Sequence, residues 1–428
     1  MTSLRRHRVL LALFVIVASF VLSTPASAQD APATQEDHSQ HMNMAMGTTW
    51  QFMQDGVVFP AYNHQGGLRG GDEFAVPHWW MGMASRNTSR GLFTVTGMLS
   101  LEAAAHGKDG YRELFQSGEV VDDAPLIDHQ HPHDLFMEIA GVWRLSLSDR
   151  TAFTVAGGPA GEPALGPVAF MHRPSAAEVP FAPLGHHTFD STHIAFGVVT
   201  AAVDHGRWTV EGSVFNGREP DEHRWDFDFG QLDSVSGRLW FRPDDRWEFQ
   251  VSTGHLNDPE ALEPGDVERT TVSGAWLERA GDDFTAVAGG WGLNVTDHGN
   301  RHATFGEINR HRGLTSLFSR VEVLQVETAK LLGTEGAASV EHDRVDTVGA
   351  FTFGAVRDFL RVRGFEGGLG AAITFYAVPE VLEPSYDSHP LSLQVFFRLR
   401  IPSARGRMWN MRMAQPMTVM RPGGAATQ

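Results

Sequence analysis

Apolar residues alternate with polar or small residues along most of this chain. Leu391–Arg400 is the clearest example, and Trp208–Val214 and Trp247–Thr253 repeat the pattern. Because successive side chains of an extended strand point to opposite sides, a period of two predicts strands with one apolar and one polar face. Further alternating runs lie near 76–86, 90–101, 135–147, 151–158, 193–203, 233–242, 268–279, 284–294, 314–327, 345–357 and 365–377. We therefore expect an all-β protein.

The connections between these runs alternate between two lengths. Short turns lie at 148–150, 204–207, 243–246 and 280–283, and long connections lie at 102–132, 159–191, 216–231, 257–267 and 295–313. An aromatic residue follows each short turn closely: Phe153, Trp208, Trp247 and Phe284. Short turns at one end, long loops at the other and an aromatic girdle are typical of a transmembrane β-barrel. The sequence predicts an antiparallel transmembrane barrel of about 14–16 strands with long outer loops. A soluble, secreted β-sandwich or propeller is the alternative.

The N-terminus has the three parts of a secretory signal peptide. Three arginines precede an apolar run from Val9 to Leu22, and Ala26-Ser27-Ala28 offers a cleavage site before Gln29. The run is shorter than the roughly 20 residues that a spanning helix needs. We therefore divide the chain into a signal peptide (1–28), a disordered His/Met-rich tail (29–47), an outer-membrane barrel (48–401) and a C-terminal Met-rich tail (402–428). The parity of the strands, and hence the side on which the C-terminus lies, stays open.

The amino-acid composition limits the partners that this chain can bind. The sequence has no cysteine, so thiolate metal sites and disulfides are excluded. The formal net charge is −17, and −20 once the three arginines of the predicted signal peptide are removed. A surface this acidic argues against nucleic acid and favours cations. The predicted partners are metal ions and outer-membrane lipid; any periplasmic metal-handling partner is unidentified.

The stretch from Asp128 to Asp134 carries histidines at alternate positions, His129, His131 and His133. Pro132 favours an extended conformation for the residue before it, and alternate side chains of an extended chain share a face. Imidazole binds transition metals, and a neighbouring carboxylate can orient the ring. The stretch predicts a metal site with flanking aspartates as orienting groups; the alternative is a polar loop.

Two further stretches contain candidate ligands. The tail carries His38, His41, Met42, Met44 and Met46, which combine imidazole with the thioether sulfur that selects Cu(I). The second long connection carries His186 and His187, followed by aspartate, serine and another histidine. The latter residue types also occur in hydrolases, which are recognised by geometry rather than by order in the sequence.

The signal peptide, the His/Met-rich tail and the alternating strands together resemble bacterial copper-resistance outer-membrane proteins, the B component of those systems. The resemblance rests on His38, His41, Met42, Met44 and Met46, where this chain has one short run and the family usually has a longer one. It implies periplasmic copper sequestration or export, with copper as the bound ion. The middle of the chain resembles outer-membrane barrel proteins of uncharacterised function.

These features predict a non-enzymatic outer-membrane barrel that binds or passes metal ions, with copper as the expected ion. One alternative is a general porin or solute channel whose loop histidines are incidental. A second is a barrel-embedded hydrolase that uses a Ser/His pair of the second long connection.

Overall fold

The computed structural model describes residues 49–261, 265–337, 340–341, 343–362 and 364–401. These residues form a β-barrel with a few short helices. The strands are β1 (Gln51–Val58), β2 (Ala61–Gln65), β3 (Gly71–Ala75), β4 (His78–Thr88), β5 (Gly91–Leu99), β6 (Tyr111–Arg112), β7 (Glu119–Val121), β8 (Ala124–Leu126), β9 (His129–Gln130), β10 (Phe136–Ser148), β11 (Thr151–Gly161), β12 (Ala195–His205), β13 (Trp208–Phe215), β14 (Ser234–Phe241), β15 (Trp247–Leu256), β16 (Val267–Ala280), β17 (Asp283–Thr296), β18 (Gly299–Arg312), β19 (Thr315–Glu327), β20 (Val345–Val362), β21 (Phe365–Ala377) and β22 (Leu391–Arg400). The helices are α1 (Glu102–His106), α2 (His186–Phe189), α3 (Thr328–Ala337) and α4 (Glu383–Tyr386). Within the described ranges, no helix has the length and apolarity that crossing a membrane requires.

We use the word stave for one complete crossing of the barrel wall, which can consist of one strand or of two strands in line. Two of the staves consist of two strands each. Pro60 separates β1 from β2 and Pro77 separates β3 from β4, because proline has no N–H to donate to the ladder. The carbonyl oxygens of both prolines still accept bonds of 2.9 Å, from Phe397 and Phe59 respectively. Counted this way, the described strands form 16 antiparallel staves, and the first stave closes on β22. The predicted fold class is confirmed.

One expected long connection is instead a strand. Residues 295–313 contain β18, which is joined to β17 by a two-residue turn. Its inward positions carry Arg301, Glu307 and Asn309, and its outward positions have Ile308 among small and polar neighbours. Because both faces of β18 are rich in polar residues, apolar and polar residues do not alternate in the sequence of this strand. With β18 and the first stave added, the count is even, so Gln51 and Arg400 lie at the short-turn end.

Alternate side chains form an exposed apolar band on the outside of the barrel. Val210, Val251 and Val321 belong to it and are 57%, 43% and 46% exposed. At the short-turn end, Trp208 stacks on Phe241 with 4.3 Å between ring centroids. This arrangement places lipid around the staves, as in outer-membrane barrels. The expectation for Phe284 was wrong: it is 4% exposed and packs in the lumen, in a cluster with Leu277 and Ala286.

The largest apolar cluster of the described residues lies inside the barrel. Stave residues such as Met81 and Phe396 belong to one cluster with Phe181, which comes from a long loop. The lumen at this level is therefore packed like a protein core.

Candidate functional site in the barrel lumen

Three long loops leave the barrel at the same end. Loop A comprises residues 100–135, loop B residues 162–194 and loop C residues 216–233, and they follow β5, β11 and β13. Backbone and side-chain groups of loops A and B are buried against inward-facing stave residues. The loops therefore fold into the lumen, where they carry most of the predicted ligands.

Loop B crosses the lumen from one wall to the other. Arg173 donates two bonds to Glu307 of β18, at 3.0 and 2.9 Å. Glu178 accepts from Arg400 at 3.0 Å and from Arg398, both on β22. The loop leaves the fifth stave, whereas β18 is the twelfth and β22 the sixteenth. Loop B therefore spans the barrel and is held by ion pairs on the far side.

The Glu178 carboxyl is ionised although it is fully buried. Burial opposes its ionisation, but Arg398 and Arg400 outweigh that effect and lower the pKa of Glu178 to about 2. Ser316 donates a further bond of 3.0 Å to the same carboxylate. Buried charges are tolerated when they are paired and hydrogen-bonded in this way.

The aspartates flanking the three alternating histidines hold loop A in place. Asp128 accepts from the backbone N–H of Phe115 at 2.8 Å, pairs with Arg69 at 2.7 Å and accepts from Tyr386 at 3.2 Å. Asp134 accepts from Arg224 of loop C at 3.2 Å. The prediction that these aspartates orient the histidine rings is therefore wrong: they bond to anchors of the loops.

Four imidazoles of loops A and B meet in the lumen. The ring centroids of His131 and His133 are 6.2 Å apart, and those of His133 and His193 are 5.4 Å apart. His186 completes the group, because its ring centroid is 5.1 Å from that of His193 and 6.3 Å from that of His131. We call these four side chains the histidine ring. Three of them were predicted ligands, and His193 joins them only in the fold.

Two predicted ligands lie outside the histidine ring. The Nδ1 atom of His129 donates to the carbonyl oxygen of Ile127 at 3.0 Å, and the side chain is half-buried. His187 lies beside His186 but pairs with Glu219 of loop C at 3.1 Å. Burial opposes protonation of His187, yet Glu219 outweighs it and raises the pKa of His187 to about 9. The pKa of Glu219 falls to about 2 for the same reason.

Glu119 connects the three loops. Its carboxylate lies 3.0 Å from Nε2 of His131 and 3.1 Å from Arg224. Burial raises the pKa of Glu119 to about 7, although Arg224 opposes the shift. Ligand atoms of Glu119, His187 and Glu219 lie within 4.8 Å of one another. The salt bridges already neutralise these groups, so they act as the junction between loops.

Two further histidines lie at or near the same end of the barrel. His302 is on the outer face of β18 and stacks on Trp291 at 5.7 Å, and His298 lies in the turn before β18, 3.4 Å from Asp343. Neither side chain belongs to the histidine ring. The tail candidates lie outside the described residues: His38, His41, Met42, Met44 and Met46.

Sequence reasoning also missed the groups that orient the rings. Glu102 of α1 accepts from Nδ1 of His133 at 2.8 Å, and Asp190 accepts from Nδ1 of His186 at the same distance. Glu102 precedes its partner by 31 residues. The HHxxD spacing, which places Asp190 four residues after His186 on a helical turn, was the one local signal available.

No family model matches the sequence, and no curated protein sequence matches it. Solved structures do match. The anion-selective porin from Comamonas acidovorans aligns over 82% of this chain and all of its own, with a TM-score of 0.50 and 8% identity. Pseudomonas putida OprB aligns over 82% of this chain and 94% of its own, with a TM-score of 0.53 and 10% identity.

The chain has the fold of a porin. At these identities the likeness extends to the fold alone, and it gives no support to the resemblance to copper-resistance proteins. What distinguishes this porin-type barrel is the content of its lumen: loop B with its ion pairs, and the histidine ring.

Proposed function

We propose that this protein is a narrow outer-membrane channel that passes small cations. The observation that carries the proposal is loop B, which crosses the lumen of a closed 16-stave barrel and is fastened to β18 and β22. A barrel of this size encloses an aqueous channel unless loops fill it. A loop across the lumen narrows that channel, so a general pore for large solutes is disfavoured.

Two small cavities flank loop B. The first has a volume of about 30 Å³ and lies against the staves from β14 to β18, with His172, Trp240 and Glu248 in its lining. The second has about 20 Å³ and lies against β19–β22, with Glu113, Arg320 and Gln394 in its lining. Cavities of this size have room for water, so loop B leaves small hydrated spaces on both sides, which suits small ions rather than large solutes.

Cation preference follows from the charge at the long-loop end. Loop C carries Asp221, Asp226 and Asp228, whose carboxylates lie within 4.8 Å of one another. The whole chain has a formal net charge of −17. Clustered negative charge at a mouth raises the local concentration of cations.

Copper as the transported ion is a finer proposal that rests on the tail. Thioether sulfur and imidazole in His38–Met46 suit copper, and a tail tethered to the barrel would hold the ion close to it. The channel proposal stands without this step.

Loop B does not hold a serine and a histidine in the arrangement that the hydrolase alternative requires. Ser191 Oγ accepts a bond of 3.0 Å from Arg269, and Nδ1 of His193 donates to the carbonyl oxygen of Asp190 at 2.7 Å. A serine nucleophile requires a histidine that accepts its proton. We therefore favour a channel over an enzyme.

Planar-bilayer recording of the full-length protein tests the proposal. We expect single-channel steps smaller than those of OprB recorded in the same salt, and a reversal potential in a KCl gradient that reports preference for K⁺. Bilayers that stay silent after insertion would contradict the channel, and a preference for Cl⁻ would contradict the cation selectivity.

A further inference from the structure

We propose that His133, His186 and His193 together bind one divalent transition-metal ion through Nε2, inside the barrel. The ion belongs to the class that prefers imidazole, such as zinc or copper(II). This site goes beyond the channel proposal, because it stands whether or not the barrel conducts. It also differs from the sequence-based metal prediction in its members and in its orienting groups.

In each of the three side chains, an oxygen fixes the ring through Nδ1. Nδ1 of His133 lies 2.8 Å from Glu102, and Nδ1 of His186 lies 2.8 Å from Asp190. Nδ1 of His193 lies 2.7 Å from the carbonyl oxygen of Asp190. These oxygens accept hydrogen bonds, so Nδ1 carries the hydrogen and the lone pair of the neutral ring is on Nε2. Ligating histidines in proteins are oriented in this way by carboxylates and carbonyls.

Two of the Nε2 atoms are buried and have no hydrogen-bond partner. They belong to His133 and His193, whose side chains are 7% and 8% exposed. Buried polar atoms are almost always satisfied, so an unpaired one needs an explanation. Two such lone pairs on neighbouring rings are what an ion site requires.

Two of the three ring separations fit a shared ion. Two imidazoles on one tetrahedral zinc, with Zn–N of about 2.0–2.1 Å, place their ring centroids roughly 5 Å apart. The centroids of His193 and His186 are 5.1 Å apart, and those of His193 and His133 are 5.4 Å apart. His193 therefore lies between the other two ligands. The ligand atoms of the three histidines do not all lie within 4.8 Å of one another in this structure, so binding the ion requires His133 and His186 to move towards His193. Phe170 packs edge-on against His186 and His193 and keeps one side of the site dry.

The neighbouring histidines are not ligands. Nε2 of His131 bonds to Glu119 at 3.0 Å, so its ligand atom is occupied. His187 pairs with Glu219 of loop C at 3.1 Å, which turns it away from the other three rings. They line the site instead.

The charge around the site suits a dication. Glu102 accepts a hydrogen bond from His133, and Asp190 accepts one from His186. Asp190 also accepts from His193 through its carbonyl oxygen and pairs with Arg173. Two carboxylates behind the three imidazoles offset the charge of the ion.

Zinc titration of the purified full-length protein in detergent tests the site. We expect the variants His133→Asn and His193→Asn each to lose one tightly bound equivalent of zinc. Glu102→Gln should weaken that equivalent roughly 10–100-fold, because Glu102 acts by positioning His133. The matched control is His302→Asn, which removes an imidazole from the outer face and should keep the equivalent. The tail histidines are present in every form and cancel in the comparison.

The proposal is overturned if the unmodified protein binds no zinc equivalent, or if the His133→Asn and His193→Asn variants bind as it does. Folding is checked by the shift in SDS mobility on boiling. If the variants do not fold, the absorption spectrum of the unmodified protein with Co²⁺ tests the proposal. Bands of a four-coordinate, nitrogen-rich cobalt site support the proposal, and a spectrum of aqueous Co²⁺ overturns it. Neither result depends on conductance, so this test is independent of the channel proposal.

Discussion

Glu178 of loop B lies 3.0 Å from Nη1 of Arg400, at the end of the last stave. Both side chains are at most 1% exposed. The pair ties the middle of a long loop to the far wall of the barrel, so the position of loop B in the lumen depends on it.

The variant Glu178→Gln should release loop B. Removing one partner of a buried ion pair costs about 3–5 kcal/mol, because the arginines keep an uncompensated charge. We expect larger single-channel conductance, while the barrel stays folded on its strand ladders. The control is Glu278→Gln, which breaks an exposed pair with Arg246 at the short-turn end and should leave conductance unchanged. An intact barrel with unaltered conductance would rule out loop B as the constriction.

Acid should release the same loop. The pKa of Glu178 is about 2 in the fold and about 4.5 without its partners. A lowered pKa stabilises the fold fully above the higher value, and the stabilisation is lost as the pH falls towards the lower one. Arg398 and Arg400 stay charged throughout this range, and Asp358 is the other carboxylate that pairs with Arg398. Conductance recorded from pH 6 to pH 3 should rise below about 4.5, whereas Glu178→Gln should show a flatter profile. If the unmodified protein and Glu178→Gln show the same dependence of conductance on pH, groups other than Glu178 cause the rise in acid.

The apolar band should tolerate charge poorly. Val321 lies mid-way along β19 and faces outwards, so Val321→Arg should lower the free energy of unfolding by about 2–4 kcal/mol in lipid. Leu68 is 68% exposed in the turn between β2 and β3, and Leu68→Arg should have little effect. Urea unfolding in vesicles compares the two. Equal costs would mean that the two positions have the same surroundings, which contradicts a lipid-facing band.

A peptide spanning His38–Met46 should bind Cu(I) in preference to Zn(II). Three thioethers supply ligands that zinc binds poorly. Competition with a Cu(I) chelator measures the affinity, and a peptide with leucine in place of Met42, Met44 and Met46 is the control. If both peptides compete equally, the methionines are not ligands and the copper proposal loses its support.

The sequence alone determined the barrel. Strand geometry imposes a period of two on neighbouring residues, so the pattern can be read locally, as in Leu391–Arg400. Turn length and girdle aromatics such as Trp208 and Trp247 are local as well. The prediction failed at β18, where small and polar residues such as Thr304 and Gly306 occupy most of the outward face on which the pattern depends. On its inner face, Glu307 accepts from Arg173 and Asn309 donates to the carbonyl oxygen of Pro174, so loop B supplies their partners.

The site was decided by the tertiary structure. The sequence placed His131, His133 and His186 in long loops but could not show that these loops fold inwards. It gave no reason to join His193 to His133, or to pair His133 with Glu102 rather than with its neighbour Asp134. Those choices depend on where two loops meet after the barrel has closed. The physical reason is that contacts between distant residues are set by packing and charge compensation in the lumen, which leave no periodic trace in the chain.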